Sequence, residues 1–218
     1  MSLRINSEAP DFTAETSEGT VSFHEWLGGS YAILFSHPRD FTPVCTTEFG
    51  AVARLAPEWE KRNTKVIGIS VDSVADHQKW KRDIEAVGGA PANFAIIDDV
   101  SLKVAKLYNM LPEDATIPEE GRTPANSATV RAVFIIGPDK KIRLTMVYPM
   151  SVGRNFAEIL RALDAVQKTD GVPLATPANW TPGEDVIVAT ALDDAAAEAR
   201  YGTLDKKLPY LRFVKDPA

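Results

Sequence analysis

Tyr31-Ala32-Ile33-Leu34-Phe35-Ser36-His37-Pro38-Arg39-Asp40-Phe41-Thr42-Pro43-Val44-Cys45-Thr46-Thr47-Glu48-Phe49 is the stretch on which the reading of this chain turns. Its first five residues form an apolar run of strand length, and Pro43 suits the first turn of a helix. Cys45, the single cysteine of the chain, therefore falls at a strand-to-helix junction. Helix N-termini carry partial positive charge and free amide donors, which favour a thiolate over a thiol. In that setting the sulfur reads as a nucleophile rather than as a small core residue.

Outward from this point, strand and helix patterns alternate. Ser22-Phe23-His24-Glu25 reads as a capping box that opens a short helix ending at Gly28-Gly29. The helix after Cys45 is expected from about Pro43 to Arg62. A strand follows over 65–71, and Ser73 caps a helix with Val74, His77, Trp80, Ile84 and Val87 on its apolar positions, stopped by Gly88-Gly89. Residues 94–97 form a short strand, Ser101 starts another helix, and 111–126, rich in Pro, Glu and Gly, reads as an exposed excursion. Strands over 130–136 and 142–148 make a hairpin about Gly137-Pro138-Asp139-Lys140. A helix over 155–168 places Phe156, Ile159, Leu160 and Leu163 on one face.

This alternation predicts an α/β, thioredoxin-like fold, a mixed central sheet with helices on both faces, plus a C-terminal extension. Residues 1–169 read as the core and 170–218, where Gly, Pro and Thr become frequent, as an arm too short for a core of its own. That arm is expected to pack on a second subunit. The strand over 142–148 would be an exposed edge in a monomer, and pairing two such edges about a two-fold axis makes a homodimer; larger rings stay open.

Composition removes several function classes. The net charge is −6 and no Lys/Arg cluster makes a phosphate-binding stripe, so nucleic acid is excluded as a partner. Apolar runs such as Ala132-Val133-Phe134-Ile135-Ile136 are far shorter than a membrane span. Met1 to Phe12 has no apolar signal-peptide core. With one cysteine an intrachain disulfide is impossible, which fits a reducing cytoplasm. Three scattered histidines offer no metal-ligand spacing, and no cofactor is expected.

A reactive thiolate needs a polar partner, an approach path and a cation. Thr42, three residues before Cys45, shares its face of the first turn and can hydrogen-bond both the sulfur and an incoming oxygen. Pro38 can shield the sulfur without donating a competing hydrogen bond. Arg131 heads an apolar strand, where charge is costly unless paired; it either faces the sulfur or sits at a solvated strand end. Thioredoxins begin the corresponding helix with Cys-x-x-Cys. Here the tetrad is Thr42-Pro43-Val44-Cys45, with a hydroxyl in place of the first thiol.

Pro38-x-x-x-Thr42-x-x-Cys45 resembles the Pro-x-x-x-Thr-x-x-Cys signature of peroxiredoxins, and the fuller string from Phe35 to Glu48 is similar to their 1-Cys class. The likeness continues through Asp72-Ser73-Val74-x-Asp76-His77, Ile97-Asp98-Asp99, Gly137-Pro138-Asp139-Lys140-Lys141, Tyr148-Pro149 and Gly153-Arg154-Asn155-Phe156 to Ala175-Thr176-Pro177, nearly the whole chain. The resemblance implies that Cys45 is the peroxidatic nucleophile and that Pro38, Thr42 and Arg131 complete its pocket. It further implies that Glu48 and Arg154 belong to the same polar network and that His37 borders the site. The implied substrates are hydrogen peroxide and organic or lipid hydroperoxides. Cys45 sulfenic acid has no internal partner, so an external thiol (glutathione or a thioredoxin-type protein, with ascorbate also open) must reduce it.

Some members of this class also hydrolyse phospholipids through a Ser/His/Asp set, whose matching positions are Ser30, His24 and Asp139. The lipase-like Gly-x-Ser-x-Gly frame departs here, reading Gly28-Gly29-Ser30-Tyr31-Ala32. The plain alternative makes all three turn or helix-start residues. A non-enzymatic alternative is an oligomeric peroxide sensor or holdase with Cys45 as its switch.

Overall fold

The computed structural model describes residues 3–116, 123 and 126–217, so part of the 111–126 excursion lies outside the described residues. Two compact units divide between Phe156 and Ala157, earlier in the chain than the change of composition after Thr169.

The first unit is built on a seven-stranded sheet in the order β2-β1-β5-β4-β3-β6-β7. Its strands are β1 (Thr13–Thr16), β2 (Gly19–Ser22), β3 (Tyr31–Ser36), β4 (Thr64–Ser70), β5 (Ala95–Asp98), β6 (Arg131–Ile136) and β7 (Ile142–Tyr148). Strands β3, β4 and β5 run parallel, while β6 joins β3 antiparallel with Leu34 opposite Phe134. The sheet is therefore mixed, in keeping with the thioredoxin-like expectation.

Every residue of β3 after Tyr31 is buried, because helices cover both faces of the sheet. On one face α1 (Phe23–Leu27) and α5 (Lys103–Leu107) pack Phe23, Leu27 and Val104 against Leu34, Ile67, Ile97 and Phe134. On the other, α2 (Pro43–Arg54) and α4 (Val74–Gly88) bring together Phe49 and Trp80, and Phe49 meets Phe35 and Phe94 while Phe35 also meets Phe156. Gly50 and Gly88 let these two helices touch: a Cβ on Gly50 would lie 2.8 Å from the Gly88 Cα. Phe49 similarly needs Gly68 in β4 beneath its ring, where a Cβ would stand 2.8 Å from the ring.

Three local expectations change. The helix expected over 43–62 breaks at Leu55 into α2 and α3 (Ala56–Lys61), because Pro57 falls in the first turn of α3. Ser22 does not form the capping box; its side chain makes no cap bond. Asp11 accepts from the His24 N–H at 2.9 Å instead and performs that task from a distant segment. Helix α5 likewise starts later than Ser101, with the Asp99 carboxylate taking the Val104 and Ala105 N–H groups at 3.0 and 2.7 Å.

The second unit holds α6 (Phe156–Thr169, all but its first residue), α7 (Asp194–Tyr201) and a four-stranded sheet ordered β10-β11-β9-β8. Those strands are β8 (Leu174–Ala175), β9 (Val186–Val188), β10 (Asp205–Leu208) and β11 (Leu211–Val214). They pack Trp180, Val186, Val188, Ala197 and Val214 into a small core of their own.

Candidate active site

In open α/β sheets, ligand sites form beyond the carboxyl ends of the parallel strands. Cys45 occupies that place. Ser36 ends β3, five residues of turn follow, and Thr42 in extended conformation (φ −119°, ψ 148°) is the N-cap of α2. Cys45 is then the third helical residue and is fully buried. The first amide groups of a helix have no intrahelical partner, so this position offers a sulfur both donors and the positive end of the helix dipole.

Arg131, at the start of β6, resolves its two sequence readings in favour of burial. It is 3% exposed and its Nη1 donates to Cys45 Sγ at 3.4 Å and to Glu48 Oε2 at 2.7 Å. Its Nε donates to the Met150 carbonyl at 2.8 Å, which fixes the plane of the guanidinium. Glu48, one turn after Cys45 on α2, also receives Arg154: Nε reaches Oε1 at 2.9 Å, Nη2 reaches Oε2 at 2.7 Å, and the Arg154 backbone N–H reaches Oε1 at 2.7 Å. Arg154 Nη1 donates to the Ser36 and Ala132 carbonyls at 2.8 and 3.0 Å, and its guanidinium lies over Phe35 and Phe156. Burial opposes charge on Glu48. The hydrogen bonds and charge of Arg154, with the charge of Arg131, outweigh it and hold the carboxyl below its ordinary value. Two guanidiniums thus share one carboxylate inside the protein, which leaves one positive charge facing the sulfur.

Thr42 and Pro38 are half-buried on the turn that leads into α2. The Thr42 hydroxyl donates to the Arg39 carbonyl at 2.9 Å, which leaves its lone pairs, rather than its proton, for other partners. His37 is fully buried against Phe49 and Trp80, with ring centroids 4.5 and 5.1 Å away, and its Nε2 meets Asp40 Oδ1 at 2.7 Å.

The residues Ser30, His24 and Asp139 are not brought into one hydrogen-bonded set among the described residues. Ser30 donates to Asn63 Oδ1 at 3.0 Å, His24 Nε2 contacts the Ala9 carbonyl at 2.7 Å, and Asp139 pairs with Arg143 at 3.0 Å. Ser30 also lies between α1 and β3, a helix-to-strand turn. A lipase-type nucleophile elbow runs the other way, from strand to helix.

Sequence reasoning gave Asp40 and Asp72 no role and placed His77 only among the packing positions of its helix; the three form a buried network with His37. His77 Nδ1 meets Asp40 Oδ2 at 2.6 Å, and the Asp40 N–H donates to Asp72 Oδ2 at 2.9 Å. His37, Asp40 and Asp72 bring potential ligand atoms within 4.8 Å of one another, but each already takes part in these hydrogen bonds. The one available signal was the pair of acidic residues and a histidine on segments otherwise built for packing.

The AhpC/TSA family model matches residues 5–145, and the model for the C-terminal domain of 1-Cys peroxiredoxin matches residues 162–204. A buried cysteine at a helix start, facing an arginine on a mixed sheet of this order, goes with these matches, and the chain belongs to the AhpC/TSA family, in its 1-Cys peroxiredoxin branch. Rat peroxiredoxin-6 is 47% identical over 225 residues, covering 99% of this chain and 98% of the relative. The crystal structure of a cysteine-to-serine mutant of the peroxiredoxin 6 of Arenicola marina superposes with a TM-score of 0.90 at 40% identity, covering 99% of both chains. A structure of the yeast mitochondrial 1-Cys peroxiredoxin, described for thiol resolution through glutathione and thioredoxin systems, gives a TM-score of 0.88 at 47% identity over 98% of this chain and 99% of that one. The chain is an oxidoreductase, a thiol peroxidase.

Proposed function

We propose that Cys45 is the nucleophile that cleaves the peroxide O–O bond, in a pocket formed by Pro38, Thr42 and Arg131 and braced by Glu48 and Arg154. The observation that carries this reading is the Arg131 Nη1 bonded at once to Sγ at 3.4 Å and to Glu48 at 2.7 Å. The unbalanced positive charge of the Arg131–Glu48–Arg154 cluster is matched by a thiolate on Cys45. That thiolate attacks the terminal oxygen of the hydroperoxide. An S–O bond forms, the O–O bond breaks, and the other oxygen leaves as alkoxide or hydroxide and takes a proton from water. Arg131 faces the line along which negative charge passes from sulfur to the leaving oxygen. Hydrogen peroxide and organic or lipid hydroperoxides share this reacting group and are the substrate class.

Cys45 sulfenic acid is then attacked by an external thiol, which releases water and leaves a mixed disulfide. A second thiol frees the Cys45 thiolate. Glutathione and thioredoxin-type proteins are the reductants this reading supports, since the yeast relative is described as resolved through those two systems. Steady-state turnover with a panel of thiols tests it: the wild type should turn over with at least one of them, and Cys45→Ser with none. Turnover by Cys45→Ser would contradict the assignment.

The same reading extends to assembly. β7 is the outer strand of the larger sheet, and Val147 on it is 63% exposed. This supports a homodimer formed at that edge, with residues 170–218 packed at the interface. A monomeric mass at micromolar concentration would refute it. Among the described residues no helix is long and apolar enough to cross a membrane. The single cysteine supports the cytoplasm as the compartment, which fractionation of the source cells tests.

A further inference from the structure

We infer that Asp40 is a positioning residue of the peroxide site, held between two buried imidazoles, and that His77 is its imidazolium counter-ion. Donor and acceptor counting fixes where the protons sit. His77 Nε2 lies 3.1 Å from the Ile97 carbonyl oxygen and Nδ1 lies 2.6 Å from Asp40 Oδ2. A carbonyl oxygen can only accept, so Nε2 carries a proton. Nδ1 faces a carboxylate, and the second oxygen of that carboxylate is engaged by His37 Nε2 at 2.7 Å. A carboxylate that takes hydrogen bonds from two imidazoles is stabilised as the anion, so the proton between it and His77 resides on Nδ1. His77 is then doubly protonated and fully buried. The charged groups acting on it, Asp40 and Asp72, belong to this cluster, and so does the His37 ring, 6.4 Å away between centroids.

His37 completes the chain as a neutral ring. Its Nε2–H points at Asp40, and its Nδ1 is buried with no hydrogen-bond partner among the described residues. The directions of titration agree. Burial disfavours charge on both rings, yet His77 is raised above its ordinary value by Asp40, while His37 is lowered because burial prevails there.

Asp40 lies in the middle of the turn that carries Pro38 and Thr42, and it is tied at three points: to His37 in its own turn, to His77 on α4, and through its backbone N–H to Asp72 after β4. Ser70 Oγ holds that Asp72 oxygen at 2.7 Å. The next residue, Phe41, is half exposed and adopts φ +54°, a conformation that a non-glycine residue holds only under constraint. The following residue, Thr42, caps α2. The ion pair therefore fixes where the first turn of α2 begins, and with it the position of Thr42, the N-cap three residues before Cys45.

This inference rests on Cys45 being the peroxide-reacting sulfur, and the experiment separates the two. Nitrogen-15 spectra of the full-length wild type, which has three histidines to assign, read the protonation of each ring directly. We expect His77 to show two protonated nitrogens at neutral pH and His37 to show a bare Nδ1. Stopped-flow oxidation of Cys45 by hydrogen peroxide is then compared with Asp40→Asn, which keeps the shape and removes the charge, and with His77→Gln. Both variants should lose the doubly protonated signature, and their oxidation should slow by roughly ten- to a hundredfold, the cost of a misplaced reacting group. A His77 ring with one bare nitrogen in the wild type would overturn the inference, as would Asp40→Asn and His77→Gln oxidising at the wild-type rate. A wild type that peroxide does not oxidise at Cys45 would instead refute the proposed function, while the spectra still decide the state of His77.

Discussion

Glu48→Gln is the substitution whose consequence the structure sets most tightly. The wild-type carboxylate accepts from Arg131 Nη1 and from the N, Nε and Nη2 of Arg154, all between 2.7 and 2.9 Å. Gln has nearly the same shape, but it keeps one carbonyl oxygen and turns an amide N–H2 toward a guanidinium that also donates. Two cations then remain in the core without their shared anion. Removing one partner of a buried ion pair costs about 3–5 kcal/mol. For a chain of this size that lowers the thermal midpoint by roughly 6–20 °C. The pH dependence supplies a second signature. The folded-state carboxyl lies below its ordinary value, so its contribution is fully present above the unfolded value of about 4.3 and is lost as pH falls through the folded value. The gap between wild type and Glu48→Gln should therefore be constant near neutrality and close progressively below about pH 4. Thermal and urea unfolding followed by near- and far-ultraviolet circular dichroism measure the midpoint and the gap, provided that the transitions of the two probes coincide. A midpoint within about 2 °C of wild type, or a gap unchanged on acidification, would refute the reasoning.

Arg131→Ala removes the donor on Sγ and should slow peroxide reduction by about a hundred- to a thousandfold, measured as the second-order rate of Cys45 oxidation. A tenfold loss or less would move the charge stabilisation elsewhere. Gly50→Ala places a Cβ 2.8 Å from the Gly88 Cα, backbone against backbone, and should destabilise the protein by about 1–3 kcal/mol in urea titrations. An unchanged midpoint would show that α2 and α4 can separate at no cost. Ser30→Ala removes only the bond to Asn63 and should leave peroxidase turnover within about twofold and reveal no lost phospholipid hydrolysis; a Ser30-dependent lipase activity would reverse the reading of that turn.

The parts legible in the sequence share a physical reason. β3, β4 and the β6–β7 hairpin are dense apolar runs bounded by turn residues, and Cys45 announces itself by standing at the start of the helix that follows one of them. β1 and β2 escaped because Thr-Ala-Glu-Thr and Gly-Thr-Val-Ser are short, polar and at the outer edge of the sheet, where pairing is set by neighbours rather than by local pattern. The break at Leu55 was signalled by Pro57 and was hidden by the otherwise continuous helical composition. At the site, Glu48 and Arg154 came from the resemblance to peroxiredoxins, and the structure places both beside Arg131. The partners of Asp40 could not be placed from the sequence: His77 is on another helix and Asp72 follows another strand, so only the folded chain brings them together. Asp11 capping α1 and Asp99 capping α5 were missed for the same reason, as side chains acting on backbone groups that the sequence does not mark as theirs.

If one sulfur carries the chemistry and borrows its reductant, mixing the reduced protein with one equivalent of hydrogen peroxide in the absence of thiol leaves a sulfenic acid that dimedone traps and mass spectrometry maps. The adduct should be confined to the peptide containing Cys45, and added thiol should prevent it and start turnover. Peroxide consumed at the wild-type rate by Cys45→Ser, or oxygen incorporated elsewhere while Cys45 stays reduced, would contradict that single-sulfur chemistry.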